Sequence, residues 1–394
     1  MAALRRGNLD RLIRRLATTG PGHRAELARA TQVTRTTGSS LVNELLQRGV
    51  VIELPRTPDA DQGGHVDGRA GATVQLSDRL WTAGIETTLD TISASVRTAT
   101  GATMGTASTT VNPEDGWEVR RDAALSLLNE LLADERSAGV RLLGLGIGVP
   151  GQVAPDGQVT GALADQPWSG VNVREVMEAE TGVPVLVDNN VRMETFAESR
   201  WGAGRGCSNV LYAHAASGIA VGMVIDGELV RGHNGSAGEF GHLSIDVAGD
   251  QCACGNRGCL VLSAGRAAVM RSLERTWPES PTWEQVLTLA AAGDRAAAGA
   301  FHQAGDRLGM ALAGLVNVVA PELVIIGGDM ARAGEVLRDS VARRVHELAL
   351  STHRDVPVVL SELGGGPAVG ASGAAAMVWS DPRTDRRIID RLLS

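Results

Sequence analysis

The sequence predicts an α/β body preceded by a small, mainly helical module. The first 48 residues carry nine arginines against three acids and contain three short helical stretches. From residue 79 the pattern changes to apolar strand-like runs alternating with helical stretches and Gly-rich turns. A third feature marks a compact site inside the body: Cys252, Cys254 and Cys259 lie within eight residues, and His242 stands ten positions ahead of them.

At 394 residues the chain suits two or three domains, and 43% hydrophobic content supplies real cores. No stretch approaches the roughly 18 uninterrupted apolar residues of a membrane span. With no signal-peptide pattern at the N-terminus, the expectation is a cytoplasmic protein with no membrane partner and reduced thiols. All 37 basic residues are arginines. This excludes Schiff-base lysines and a phosphate-gripping P-loop lysine. Net charge is −8, divided as +6 over residues 1–48 and −14 over the remainder. A basic module on an acidic body points to a nucleic-acid partner for the module alone.

Leu9, Leu12, Ile13 and Leu16 define one amphipathic helix, ended by Gly20-Pro21-Gly22. A short second helix covers Arg24–Arg29, and Thr31-Gln32-Val33 makes a tight connection. Thr34 caps a third helix with the apolar stripe Leu41, Val42, Leu45 and Leu46, closed by Gly49. This is the pattern of a helix-turn-helix. Its recognition helix exposes Arg35, Thr36, Thr37, Ser39 and Ser40, with Asn43 one turn on. Arginine forks onto guanine in the major groove, while hydroxyls suit phosphates or base edges. The plainer alternative is a three-helix protein-interaction bundle. Residues 50–54 and 72–76 read as a hairpin whose tip contains Gly68-Arg69, the wing of a winged helix-turn-helix. The module is assigned to residues 1–78 and the body to 79–394.

In the body, 142–151, 183–187 and 323–328 read as buried strands running into turns, the places where α/β proteins bind ligands. Three thiolates and one imidazole complete a closed tetrahedral shell, so His242, Cys252, Cys254 and Cys259 are expected to hold a structural zinc. A disulfide with chance cysteines is the alternative reading.

Gly238-Glu239-Phe240-Gly241-His242, followed by Cys252-Ala253-Cys254-Gly255-Asn256-Arg257-Gly258-Cys259, resembles the ROK family of repressors, open-reading-frame proteins and sugar kinases. The resemblance spans the whole chain. It implies an actin-like ATPase, sugar-kinase-like body in two lobes, with the lobe boundary near residue 190. It also implies zinc on the histidine and cysteines, and sugar contacts from Glu239, His242, Asn189 and the position of Asn190. Arg69 corresponds to the wing arginine that reaches the minor groove in the family's repressors.

Three departures stand against kinase activity. The family's D-x-G-G-T-K phosphate turn is replaced by Glu86-Thr87-Thr88-Leu89-Asp90-Thr91, with side chains at both glycine positions. The general-base aspartate is replaced by Asn190, whose amide cannot accept a proton. The sugar-binding glutamate after the cysteines is replaced by Val261, and only Asp165 or Gln166 offers a substitute for a further family asparagine.

The expectation is a transcriptional regulator, a repressor in the first instance, with no enzymatic activity. Its partners are a double-stranded DNA operator, a second copy or three further copies of itself, and a sugar or related metabolite as effector. Two alternatives stay open: a sugar kinase with an accessory DNA-binding module, and a ligand-independent DNA-binding regulator.

Overall fold

The structure, a computed structural model, describes residues 2–55, 72–133, 138–160, 167–274, 276–277, 281–364, 367–381 and 384–393. The N-terminal elements are α1 (Ala2–Thr19), β1 (Gly22–His23), α2 (Arg24–Ala30), α3 (Arg35–Gln47), β2 (Val51–Glu53) and β3 (Thr73–Leu76). Thr34 caps α3, its hydroxyl accepting from the Thr37 amide at 3.2 Å. Between α2 and α3, Gln32 takes a left-handed conformation (φ 57°) that makes the turn tight. The hairpin pairs Val51 with Leu76, as its apolar runs predict. The sequence reading gave only a helix break at Gly22, whereas Gly22 and His23 add a third strand against β3.

The first body sheet contains β4 (Leu80–Thr87), β5 (Thr91–Thr98), β6 (Thr103–Thr110), β7 (Arg141–Val149) and β10 (Val185–Asn189). Their order is β10-β7-β4-β5-β6, parallel where β4, β7 and β10 meet and antiparallel beyond. Around them lie α4 (Trp117–Leu132), the hairpin strands β8 (Gln152–Val153) and β9 (Val159–Thr160), and α5 (Val173–Thr181). Helix α6 (Asn190–Trp201) leads to a second sheet of β11 (Val210–Ala215), β12 (Ile219–Ile225), β13 (Glu228–Leu229), β14 (Leu323–Gly327) and β15 (Val358–Leu360). Helices α7 (Leu260–Ala264), α8 (Arg266–Glu274), α9 (Trp283–Ala291), α10 (Arg295–Val319) and α11 (Glu335–Leu348) accompany it. The chain ends with α12 (Pro367–Ser380) and α13 (Asp385–Leu393).

The lobes are not consecutive in sequence. Helix α12 returns to pack on β4, β5 and β7 of the first sheet and on α6. It comes so close because the sheet presents glycines there. A Cβ on Gly84 would lie 1.9 Å from the Ala371 carbonyl oxygen, and one on Gly146 would lie 2.1 Å from that of Ala374. Helix α13 then packs beside the N-terminal module. Leu9, Leu12, Ile13 and Leu16 of α1 share one buried cluster with Val378, Ile388, Ile389 and Leu392. Arg48 donates to the Leu393 carbonyl at 2.7 Å, and Arg6 pairs with Asp390. Module and body are thus joined by apolar burial as well as by the chain itself. Among the described residues, no helix is long and apolar enough to cross a membrane.

Candidate functional site

On the module, α3 buries Leu41, Val42 and Leu45 and turns the opposite face outward. Arg35 and Thr36 are exposed at its N-terminal end. Thr37 is half-buried, its hydroxyl 2.9 Å from that of Thr34 within the cap. Ser39 is half-buried beside them. Arg5 of α1 reaches across to Ser40 (3.3 Å) and Glu44 (2.8 Å). Arg24 of α2 donates to Asn43 Oδ1 at 2.8 Å and pairs with Glu53 at 2.6 Å. Arg5 is expected from the sequence as a phosphate contact, while Arg24 carries no expected role on this face. Their signal was their excess charge in a short basic segment, but charge alone does not say which arginines share a face. Arg69 lies outside the described residues, as do Asp165 and Gln166.

In the second lobe, His242, Cys252, Cys254 and Cys259 bring their ligand atoms within 4.8 Å of one another. Cys252 Sγ lies 3.6 Å from His242 Nδ1, and Cys254 Sγ lies 3.6 Å from Cys259 Sγ. The loop is folded by its own backbone: the Cys252 amide donates to Asn256 O at 2.8 Å and the Leu260 amide to Leu243 O at 2.9 Å. Gly255 and Gly258 take φ of +94° and +60°. The cluster can hold a metal ion, and among the described residues no disulfide links the cysteines.

The cleft side of α6 carries the remaining site residues. Asn189 caps the helix. Its Oδ1 accepts from the Val191 and Arg192 amides at 2.9 and 3.4 Å, and its Nδ2 donates to Gly151 O at 2.9 Å. Its polar groups therefore serve the fold first. Asn190, the first residue of α6, is buried. Arg192 is buried too, and pairs with Asp188 at 2.6 Å. It also donates to the Gly235 and Ala237 carbonyls at 3.2 Å, holding the loop that leads to Glu239 and His242. Burial lifts the Glu239 carboxyl above its ordinary range.

Glu86 of β4 is buried, its carboxyl facing Glu194, Asn190 and the backbone of Gly370. Burial first, then the nearby Glu194 charge, pushes its carboxyl well above the usual range. Burial also pushes Glu194 upward, but the His214 charge and hydrogen bonds outweigh that and hold it below its ordinary value. Glu194 accepts from Tyr212 at 2.9 Å and lies 2.7 Å from His214 Nδ1. The turn after Glu86 is pinned shut. Arg120 donates to the Thr88 and Leu89 carbonyls at 2.7 Å each, and the Thr88 amide is spent on Thr91 O at 2.8 Å.

The ROK family profile matches residues 82–381. The chain belongs to the ROK family. A curated relative, the Xylose repressor of Bacillus subtilis (strain 168), is 26% identical over 370 residues, covering 93% of this chain and 94% of that protein. A solved ROK family transcriptional regulator, described as a homolog of the E. coli MLC protein, superposes with TM-score 0.81 at 21% identity, covering 99% of each chain. A ROK family glucokinase from Streptomyces griseus, solved with glucose and AMPPNP, superposes with TM-score 0.67 at 25% identity, covering 75% of this chain and 98% of its own. The two-lobe body is thus the ROK fold shared by regulators and kinases. The kinase match leaves about a quarter of this chain uncovered, whereas the regulator match extends over its whole length.

Proposed function

We propose that this ROK protein is a DNA-binding transcriptional repressor that senses a sugar or related metabolite and does not phosphorylate it. The observation that carries the reading is α3: a capped helix with Arg35 and Thr36 exposed, seated against the body through α1 and α13. Residues 1–78 form the operator-reading module. Arg35, Thr36, Thr37, Ser39, Ser40 and Asn43 face the major groove, and Arg69 serves the wing. Two copies place two such helices on a two-fold operator, and an effector that changes the angle between lobes changes their spacing.

Glu239, His242 and Asn190 are the effector-contacting candidates, with Asn189 contributing the one amide hydrogen its capping role leaves over. The regulator-length relative named for xylose supports a sugar as the effector class. Loss of phosphotransfer rests on two features of the cleft. Asn190 cannot serve as a base, and the turn at Thr88-Leu89 has its carbonyls held by Arg120.

His242, Cys252, Cys254 and Cys259 would hold zinc. Tetrahedral bonds of about 2.3 Å to sulfur put neighbouring sulfurs about 3.8 Å apart, close to the 3.6 Å between Cys254 and Cys259. With four protein ligands the metal has no open position and fixes the loop that follows Glu239.

The test is selection of bound sites from randomised duplex DNA with the full-length protein, then titration of the selected site with monosaccharides and their phosphates. A selected two-fold site whose affinity changes with one sugar class supports the reading. Failure to select any site overturns it. A second reading, a ligand-independent regulator, draws on the commitment of Asn189 to helix capping; a selected site indifferent to every sugar would favour it.

A further inference from the structure

Where the N-terminal module meets the body there is a pocket of about 240 Å³. Ala17 of α1 lines one side, Thr82 and Arg97 of the first sheet another, and Trp201 and Trp379 the rest, with Arg200 at the rim. It meets α6 near its C-terminal end, at Phe196, Arg200 and Trp201, and shares no residue with the effector candidates.

Three features of its wall are unusual together. Arg97 is buried, with 8% of its surface exposed, and its guanidinium carbon sits 3.9 Å from the Trp201 ring centroid. Its guanidinium donates to the Gly101 carbonyl, and among the described residues its Nε has no partner and it forms no ion pair. Thr82 Oγ1 and Trp379 Nε1 are likewise buried with no partner. Buried donors are satisfied in nine cases out of ten or more, and a buried charge without a counter-charge is rarer still. Burial without a nearby acid also draws Arg97 below the ordinary arginine range. Water satisfies hydrogen bonds but does not supply charge. The space is open to solvent on one side and large enough for one ring and one acidic group. The Trp379 wall suits the ring, and the orphaned donors suit the acid. Arg200, exposed and stacked over Phe196 at 5.3 Å, adds a second cation at the entrance.

We propose that this junction pocket is a binding site for a small ring-bearing organic anion, a carboxylate or phosphomonoester, its acidic group held by Arg97 and its ring against the Trp379 wall. The site is separate from the effector cleft. Because α1 forms one wall, its occupant presses on the seat of the module against the body.

The experiment is a calorimetric and tryptophan-fluorescence titration of the full-length protein with benzoate and with phenyl phosphate. Benzyl alcohol serves as the neutral analogue and inorganic phosphate as the ringless one. Saturable binding of one anion per chain is expected, with both controls weaker by about tenfold or more. Arg97→Met should lose at least about that factor. Thr100→Glu, which places a fixed carboxylate at the pocket rim, should compete with the ligand and lose as much. It keeps the test open should Arg97→Met fail to fold. No saturable binding of either anion overturns the proposal. So does equal binding of benzyl alcohol, which would make this an apolar cavity only. Undiminished binding by folded Arg97→Met or Thr100→Glu overturns it too, since the anions would then be held elsewhere, as on the arginines of the DNA face.

Discussion

Replacing Gly258 by alanine should abolish metal retention, and the structure says by how much the loop would have to move. Gly258 precedes the ligand Cys259 and has φ +60°. A Cβ there would lie 1.6 Å from the Asp246 carbonyl oxygen, where ordinary contact begins near 3.4 Å, so about 1.8 Å must open between two backbone strands. Those strands are tied: Gly258 donates to Asp250 O at 2.8 Å and accepts from the Ile245 amide at 2.9 Å. Metal–ligand distances tolerate only about 0.2 Å. A displacement several times larger, passed to the adjacent Cys259, takes its sulfur out of the shell. Apparent structural zinc affinity is on the order of 10 kcal/mol at neutral pH and is coupled to folding, so the loss should be severe. Gly255→Ala is the control. Its φ is +94°, but nothing lies within 4 Å of the added methyl, so only backbone strain of about 1–3 kcal/mol applies. The assay is zinc per chain by elemental analysis of reduced protein, with thermal melting alongside. The parent and Gly255→Ala should carry one zinc each, and Gly258→Ala should carry little and melt far lower. Full zinc in Gly258→Ala, with a melt matching Gly255→Ala, would refute the reasoning.

Arg35→Ala should weaken the selected operator by about 1–3 kcal/mol and relax preference at a single position, measured by competition among singly mutated sites; uniform weakening would mean a phosphate contact instead. Asn190→Asp should not confer sugar phosphorylation in a coupled ATP-consumption assay, because the Thr88-Leu89 turn stays pinned by Arg120; sugar-dependent turnover by the parent or the variant would overturn that. Glu86→Gln tests the buried carboxyl through pH. Between 4.5 and its raised value, folded Glu86 holds more proton than the unfolded chain, so it makes stability fall as pH rises. The glutamine variant should decline less steeply across that window in denaturant titrations, and matching slopes would show that Glu86 ionises freely.

Much of the module was readable because its signals are local. The leucine stripe of α1, the Thr34 cap and the two apolar runs of the hairpin each act within a few residues. The metal cluster was equally legible, since its four donors span eighteen positions and their spacing is set by one loop. The pairing of β1 was missed because a two-residue strand has no periodicity. The capping by Asn189 was missed, although a place just before a helix is a capping signal, and it ties up the Oδ1 that a sugar contact would use. Most opaque was α12. Its small residues and the glycines at 84 and 146 form a matched pair, but a close helix–sheet approach between segments so far apart has no local mark. Arg97 and Arg120 escaped for the same reason: both read as ordinary surface arginines until their burial is known.

The return of α12 sets a timetable for synthesis. Gly84 and Ala371, which touch across the helix–sheet contact, are 287 positions apart. At about 5–20 residues per second, β4 leaves the ribosome some 15–60 s before the helix that covers it. Through that interval the glycine-lined face of the first sheet has no lid, and α1 lacks the Ile388, Ile389 and Leu392 side chains it rests on. A chain cut short before α12 would therefore keep an intact α3 and yet lack its footing.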